Sequence, residues 1–167
     1  MRRLVALAAM VVTVLLLAGC SSDTDVEKPA SDRLPGVTLA ALGDGEPVDL
    51  GALKGPAVVN VWASWCGPCK RELPHYAAYA KKHAGQVDVL GVDFQETRPT
   101  AARDLARASG VDYPLVADPD GKLRAVGLPK VVLVDENGKV AYEQYVEITS
   151  VAQLEKLVAE HLGVSAS

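Results

Sequence analysis

The sequence has few cysteines, no excess of positive charge and no apolar run long enough to cross a bilayer. Three cysteines stand in 167 residues, two of them together as Cys66 and Cys69 and the third far upstream as Cys20. One pair and one isolated residue leave none to staple distant segments, so stability must come from a packed core. Lysine and arginine number 17 against 21 aspartate and glutamate, a formal charge of −4, and no basic patch marks a nucleic-acid surface. The apolar stretch 4–18, interrupted by Thr13, falls short of the roughly 20 residues that span a membrane. Internal repeats are absent, and biased composition is confined to residues 21–32.

The chemistry that is present is concentrated at Trp65-Cys66-Gly67-Pro68-Cys69, directly after the apolar run Ala57-Val58-Val59-Asn60-Val61-Trp62. The run reads as a buried strand. A helix beginning at the first cysteine puts Cys66 at the positive end of the helix dipole, among backbone N–H groups without intrahelical partners. That environment favours the thiolate, and cysteine pairs of this kind bring the first thiol to a pKa of about 7 from about 8.5. Cys66 is expected to attack, and Cys69, one turn further in, to be the more buried partner that resolves the mixed disulfide. Zinc binding is the other use of cysteines at this spacing. It needs two more ligands, and the nearest histidine, His75, lies too far round the helix to complete a site. No metal and no cofactor are expected. A peroxidase would need a Thr-x-x-Cys arrangement that the sequence lacks.

Three regions are expected along the chain. Met1-Arg2-Arg3, the apolar run and Leu17-Ala18-Gly19-Cys20 read as an export signal at 1–19. Its last four residues resemble a bacterial lipobox, in which cleavage leaves Cys20 as a lipid-carrying first residue; an ordinary cleaved signal or an uncleaved anchor are the alternatives. Removing 1–19 leaves 15 basic against 21 acidic residues, a charge of −6, so membrane attachment is expected from the anchor rather than from charge. Residues 20–33 read as the lipid-attachment cysteine and a polar tether, and 34–167 as one domain large enough to bury a core.

Within that domain, 34–53 is broken by Gly43-Asp44-Gly45 into a hairpin. A helix is expected over about 66–83, with Leu73, Ala77 and Ala80 inward and Pro74 kinking it. Residues 87–94 read as a buried strand, 100–109 as a helix ended by Gly110, and 113–117 as a short strand. Asp118-Pro119-Asp120-Gly121 is turn chemistry leading into a short segment of helical character. Strands at 130–135 and 139–146 flank Glu136-Asn137-Gly138, a strong hairpin signal. Ser150 opens a last helix, with Gln153 three residues on and Val151, Leu154, Leu157, Val158 and Leu162 on one face. His83 and His161, late in their helices, are expected at the surface, and Tyr142 and Tyr145 to pack in their strand. The fold class is α/β: a central mixed sheet flanked by helices, with an N-terminal hairpin and a central helix–strand insertion.

This order of elements resembles the thioredoxin fold over about residues 34–163. The resemblance is carried by Trp62-Ala63-Ser64-Trp65-Cys66-Gly67-Pro68-Cys69, Lys70-Arg71-Glu72-Leu73-Pro74 and Gly127-Leu128-Pro129. The N-terminal hairpin, the insertion between Phe94 and Asp118 and the anchor make the chain similar to the exported, membrane-tethered TlpA/ResA-like thiol–disulfide oxidoreductases. The resemblance implies a cis peptide before Pro129, on a loop facing the cysteines, with backbone groups that pair with an extended substrate strand. Leu128 and Pro129, with Trp65, Gly67 and Pro68, are then the implied substrate-binding residues. It also implies a functional glutamate at Glu72, on the same helix face as Cys69; a solvated surface carboxylate is the other reading. Thioredoxins carry a buried aspartate where this chain has Asn60, an amide that does not titrate. Lys130 stands where the family often has threonine, either near the site or facing solvent.

The expected function is that of an exported, lipid-anchored enzyme, facing the extracytoplasmic side of the cell membrane, that reduces disulfides of exported proteins through Cys66 and Cys69. The resemblance implies apocytochrome c, whose cysteines must be reduced before haem attachment, as substrate and a transmembrane thiol reductase as electron donor. Gly67-Pro68 is the dipeptide of reducing thioredoxins. Disulfide formation or isomerisation in secreted proteins is the alternative within the class. A tethered binding or chaperone module without turnover is the alternative outside it.

Overall fold

The computed structural model describes residues 32–164. The expected export signal, Cys20 and nearly all of the tether lie outside the described residues. The apolar run forms β3 (Ala57–Trp62), with all six residues buried. Before it, β1 (Thr38–Ala41) and β2 (Val48–Asp49) form the N-terminal hairpin; after it come α1 (Gly67–Lys82), β4 (Asp88–Phe94), α2 (Pro99–Ala108), β5 (Leu115–Asp118), β6 (Lys130–Val134), β7 (Val140–Gln144) and α3 (Val151–Leu162). The strands make one sheet in the order β2-β1-β5-β4-β3-β6-β7. β3, β4 and β5 are parallel, and β1, β6 and β7 pair antiparallel with their neighbours. This is a thioredoxin-like α/β fold.

Two β–α–β units lie side by side, β3-α1-β4 and β4-α2-β5, and right-handed crossovers put both helices on the same face of the sheet. Alternation along β3 divides the core accordingly. Val58 packs with Tyr76 and Tyr79 of α1 and Leu154 and Val158 of α3. Trp62 packs with Cys69 and Leu73 of α1 and with Ala102 and Ala106 of α2. Val59 and Val61 turn the other way, against Leu34, Leu39, Leu50 and Leu123. The opposite face is thus covered by the N-terminal segment, a short 3-10 turn (Leu50–Ala52) and the loop after β5.

Several local expectations change. No helix forms at 122–127: the Asp118 carboxylate accepts the N–H groups of Lys122 and Leu123 at 2.8 Å each, and Arg124 takes a φ of 57°, outside the right-handed helical region. β7 ends at Gln144, so Tyr145 lies beyond the strand and is exposed, while Tyr142 is buried. His83 is buried rather than at the surface, because α3 packs over the end of α1. Its ring stacks on Tyr79 with centroids 4.5 Å apart, and Nε2 meets Glu155 Oε1 of α3 at 3.0 Å. His161 is half-buried, stacked on Tyr142.

Candidate active site

The site grows from the junction of β3 and α1. Four residues, 63–66, link them, and the link is closed by a hydrogen bond from Cys66 N–H to Ala63 C=O at 3.1 Å. Cys66 is the N-cap of α1, and its Sγ accepts the N–H of Cys69 at 3.2 Å. Pro68 fits the first turn, where its missing N–H costs no helical bond. Cys66 and Cys69 are joined as a disulfide, with Cα atoms 5.3 Å apart. Cys66 is 5% exposed and Cys69 fully buried. The motif order thus places one sulfur at the helix end and the other beneath it.

Trp65 is half exposed beside the cysteines, whereas Trp62 is fully buried under them. A Cβ on Gly67 would meet no atom within 4 Å, so the surface over the first turn is open. The Leu128–Pro129 peptide is cis, Pro129 is buried, and Leu128 packs against the cluster that holds both cysteines. The Tyr145 hydroxyl accepts the N–H of Val126 at 3.1 Å and so ties this loop down. Lys130 lies opposite Val61, on the face away from α1, and neither faces solvent nor shares the layer of the disulfide. Its Nζ meets Glu143 Oε1 at 2.6 Å and lies 5.4 Å from the centre of the Tyr145 ring.

Glu72 is not a surface carboxylate. Cys69, Glu72, Leu73, Tyr76 and Tyr79 form the buried stripe of α1, so the helical period carries the glutamate inward behind the disulfide. Its Oε2 accepts the N–H of Ile148 at 3.0 Å, while its Oε1 has no partner. Burial pushes the carboxyl up to about 8; the Ile148 N–H opposes this and the charge of Glu147 adds to it. The group is therefore largely protonated at neutral pH. Its neighbour Arg71 is held outside by a bidentate pair with Glu147 at 2.8 Å. Asn60 is fully buried, with its amide near the Tyr113 hydroxyl but outside hydrogen-bonding geometry.

Two acidic residues at the end of β4 belong to no motif. Asp93 lies beside Trp62 in the sheet and is buried; burial first, then the charge of Glu96, pushes its carboxyl up to about 7. Glu96 is also buried. Burial acts upward on it, but hydrogen bonds from Ser64 and Arg98 outweigh that and hold it below the usual range. The alternation of β4 was the available signal for Asp93, since positions 89, 91 and 93 share the helix-facing side and 93 sits at the carboxyl end of a parallel strand, where α/β folds place function. Glu96 had no such signal, because its partner Ser64 is 32 residues away.

A thioredoxin-like sheet with a Cys-x-x-Cys disulfide at the start of the helix after its central strand defines a thiol–disulfide oxidoreductase. The chain belongs to the Redoxin family, which matches residues 29–158. It is similar to the thiol–disulfide oxidoreductase ResA of Bacillus subtilis, with 28% identity over 127 residues, 72% of this chain and 68% of that protein. It is also similar to the thiol:disulfide interchange protein CycY of Rhizobium leguminosarum bv. viciae, with 31% identity over 139 residues, 80% of this chain and 69% of that protein. Among solved structures, StoA from Bacillus subtilis superposes with a TM-score of 0.61 at 25% identity, covering 73% of this chain and 98% of the other.

Proposed function

We propose that this oxidoreductase works as an exported, membrane-tethered reductase of protein disulfides. The observation that carries the reading is the asymmetry of the pair: Cys66 reaches the surface at the N-terminus of α1, and Cys69 is sealed beneath it next to a buried, protonated Glu72. The helix end favours the Cys66 thiolate. That thiolate attacks one sulfur of a substrate disulfide and expels the other as a thiolate, forming a mixed disulfide. Cys69 then gives up its proton and attacks Cys66 Sγ, releasing the second substrate thiolate and leaving the Cys66–Cys69 disulfide. Two electrons pass to the substrate. Asn60 does not titrate, so the ionised fraction of Glu72, whose Oε1 has no partner, is the base that takes the Cys69 proton, and with its pKa at about 8 that fraction grows as the pH rises.

Trp65, Gly67, Pro68, Leu128 and Pro129 form the surface on which an extended substrate segment lies, pairing with the backbone at the cis peptide. Attachment through Cys20 keeps the domain at the outer face of the cell membrane, within reach of a transmembrane thiol reductase that restores the dithiol. The TlpA/ResA resemblance and Gly67-Pro68 support apocytochrome c disulfides as the substrate class and reduction as the direction.

Equilibration with glutathione tests the direction. A potential near about −270 mV, the thioredoxin range, is expected, and one near the roughly −120 mV of a strong oxidant would make disulfide formation the activity. Failure to reduce insulin with dithiothreitol as donor would leave a binding module.

A further inference from the structure

Glu96 stands outside the redox motif but touches the loop that carries it. The side chain is 6% exposed. Oε2 accepts the backbone N–H of Ser64 at 2.9 Å, and Oε1 accepts that of Arg98 at 2.7 Å. Ser64 lies in the four-residue link that ends at Cys66, two residues before the sulfur. Arg98 is the N-cap residue of α2 and makes no side-chain cap of its own. One carboxylate therefore fastens the reactive link to the start of the neighbouring helix.

The same carboxylate is a fixed negative charge. Its hydrogen bonds keep it ionised, and its field reaches the interior, where it helps to raise the buried Asp93. At the start of α1 the helix dipole stabilises negative charge on Cys66. A carboxylate bound to the link before Cys66 works against that stabilisation, and inside a protein such a charge is poorly screened.

We propose that Glu96 is a positioning residue for thiol–disulfide exchange: its carboxylate fixes the 63–66 link, and with it the Cys66 sulfur, and its charge limits how far the helix end favours the Cys66 thiolate. The inference rests on the reading of Cys66 and Cys69 as the redox pair. It gives the chain a control on its potential that lies outside the Cys-x-x-Cys sequence.

The test uses Glu96→Gln, which keeps the size and one carbonyl acceptor but removes the charge and one acceptor. The readouts are the equilibrium constant with glutathione and the pH midpoint of Cys66 alkylation in the reduced protein. Stabilising the thiolate stabilises the dithiol form, so the equilibrium should move about tenfold toward the dithiol, about 30 mV for a two-electron couple. The alkylation midpoint should fall with it. Glu155→Gln, which removes a distant carboxylate that faces Lys82 and His83, should move neither readout.

An unchanged potential and midpoint in folded Glu96→Gln, or an equal shift in Glu155→Gln, overturns the proposal. If Glu96→Gln fails to fold, Glu96→Asp decides. The shorter carboxylate keeps the charge and shortens the reach, so the midpoint should stay at the parent value while mixed-disulfide formation slows; a parent-like rate overturns the positioning role. A parent protein that does not equilibrate with glutathione at all would instead refute the redox reading.

Discussion

At the scale of single residues, Cys66 is 5% exposed at the start of α1 and Cys69 is fully buried beneath it, the asymmetry on which the proposed order of attack rests. Cys66→Ser should abolish insulin reduction, whereas Cys69→Ala should accumulate mixed disulfides with substrate thiols on non-reducing gels; trapping by the Cys66 variant alone would reverse the roles. Glu72 makes a prediction of opposite sign to that of an ordinary carboxylate. Its pKa is raised from 4.5 to about 8, so the folded state binds the proton more tightly than the unfolded chain. Its stabilisation is fully present below about pH 4.5 and is lost as the pH rises through 8. The full shift corresponds to a loss on the order of 5 kcal/mol. Glu72→Gln should flatten that fall in urea titrations between about pH 4.5 and 8, and should shift the pH profile of exchange. Superimposable profiles for variant and parent would remove Glu72 from proton transfer.

At the scale of elements, α1 has two roles. Its first turn holds the disulfide, and its buried stripe carries Glu72, Tyr76 and Tyr79 into the layer beneath α3. Arg71–Glu147 and Glu72–Ile148 tie α1 to the segment before α3, so the placement of α3 bears on the site. α3 itself starts at Ser150, whose Oγ accepts the N–H of Gln153 at 3.1 Å, while the Gln153 side chain accepts the N–H of Thr149 at 2.8 Å. Ser150→Ala leaves the Gln153 N–H without its side-chain acceptor and should cost about 1 kcal/mol, read as a lower urea midpoint at unchanged slope. Ser150, Gln153 and the apolar face of α3 were legible in the sequence because capping is local and the helical period is short. The loop after β5 was not: its helical composition was overridden by the Asp118 carboxylate folding back on it.

At the scale of the molecule, the sheet separates two apolar layers, and the disulfide lies on the helix-bearing side at the end where β3 and β4 finish. Under the proposed tethering, this edge is held at the membrane beside its protein substrates. Cys20→Ala should therefore move the protein from the membrane to the soluble exported fraction or block signal cleavage. Fractionation and mass spectrometry check this, and a mature N-terminus elsewhere without acyl groups would refute attachment at Cys20.

The sequence by itself determined the chemistry and the frame. Cys66 and Cys69 are neighbours in one turn, the strand before them is a continuous apolar run, and the later elements announce themselves through Asn-Gly and Ser-x-x-Gln, all within a few residues. Only the tertiary structure decided what depends on contacts across the chain. It turned Glu72 from a possible surface group into a buried acid, sent Lys130 to Glu143 on the far face, buried His83 against Glu155, and brought Glu96 to Ser64. The physical reason is that a charged side chain reports nothing locally about its burial. Its protonation and its partner are set by which distant elements close over it.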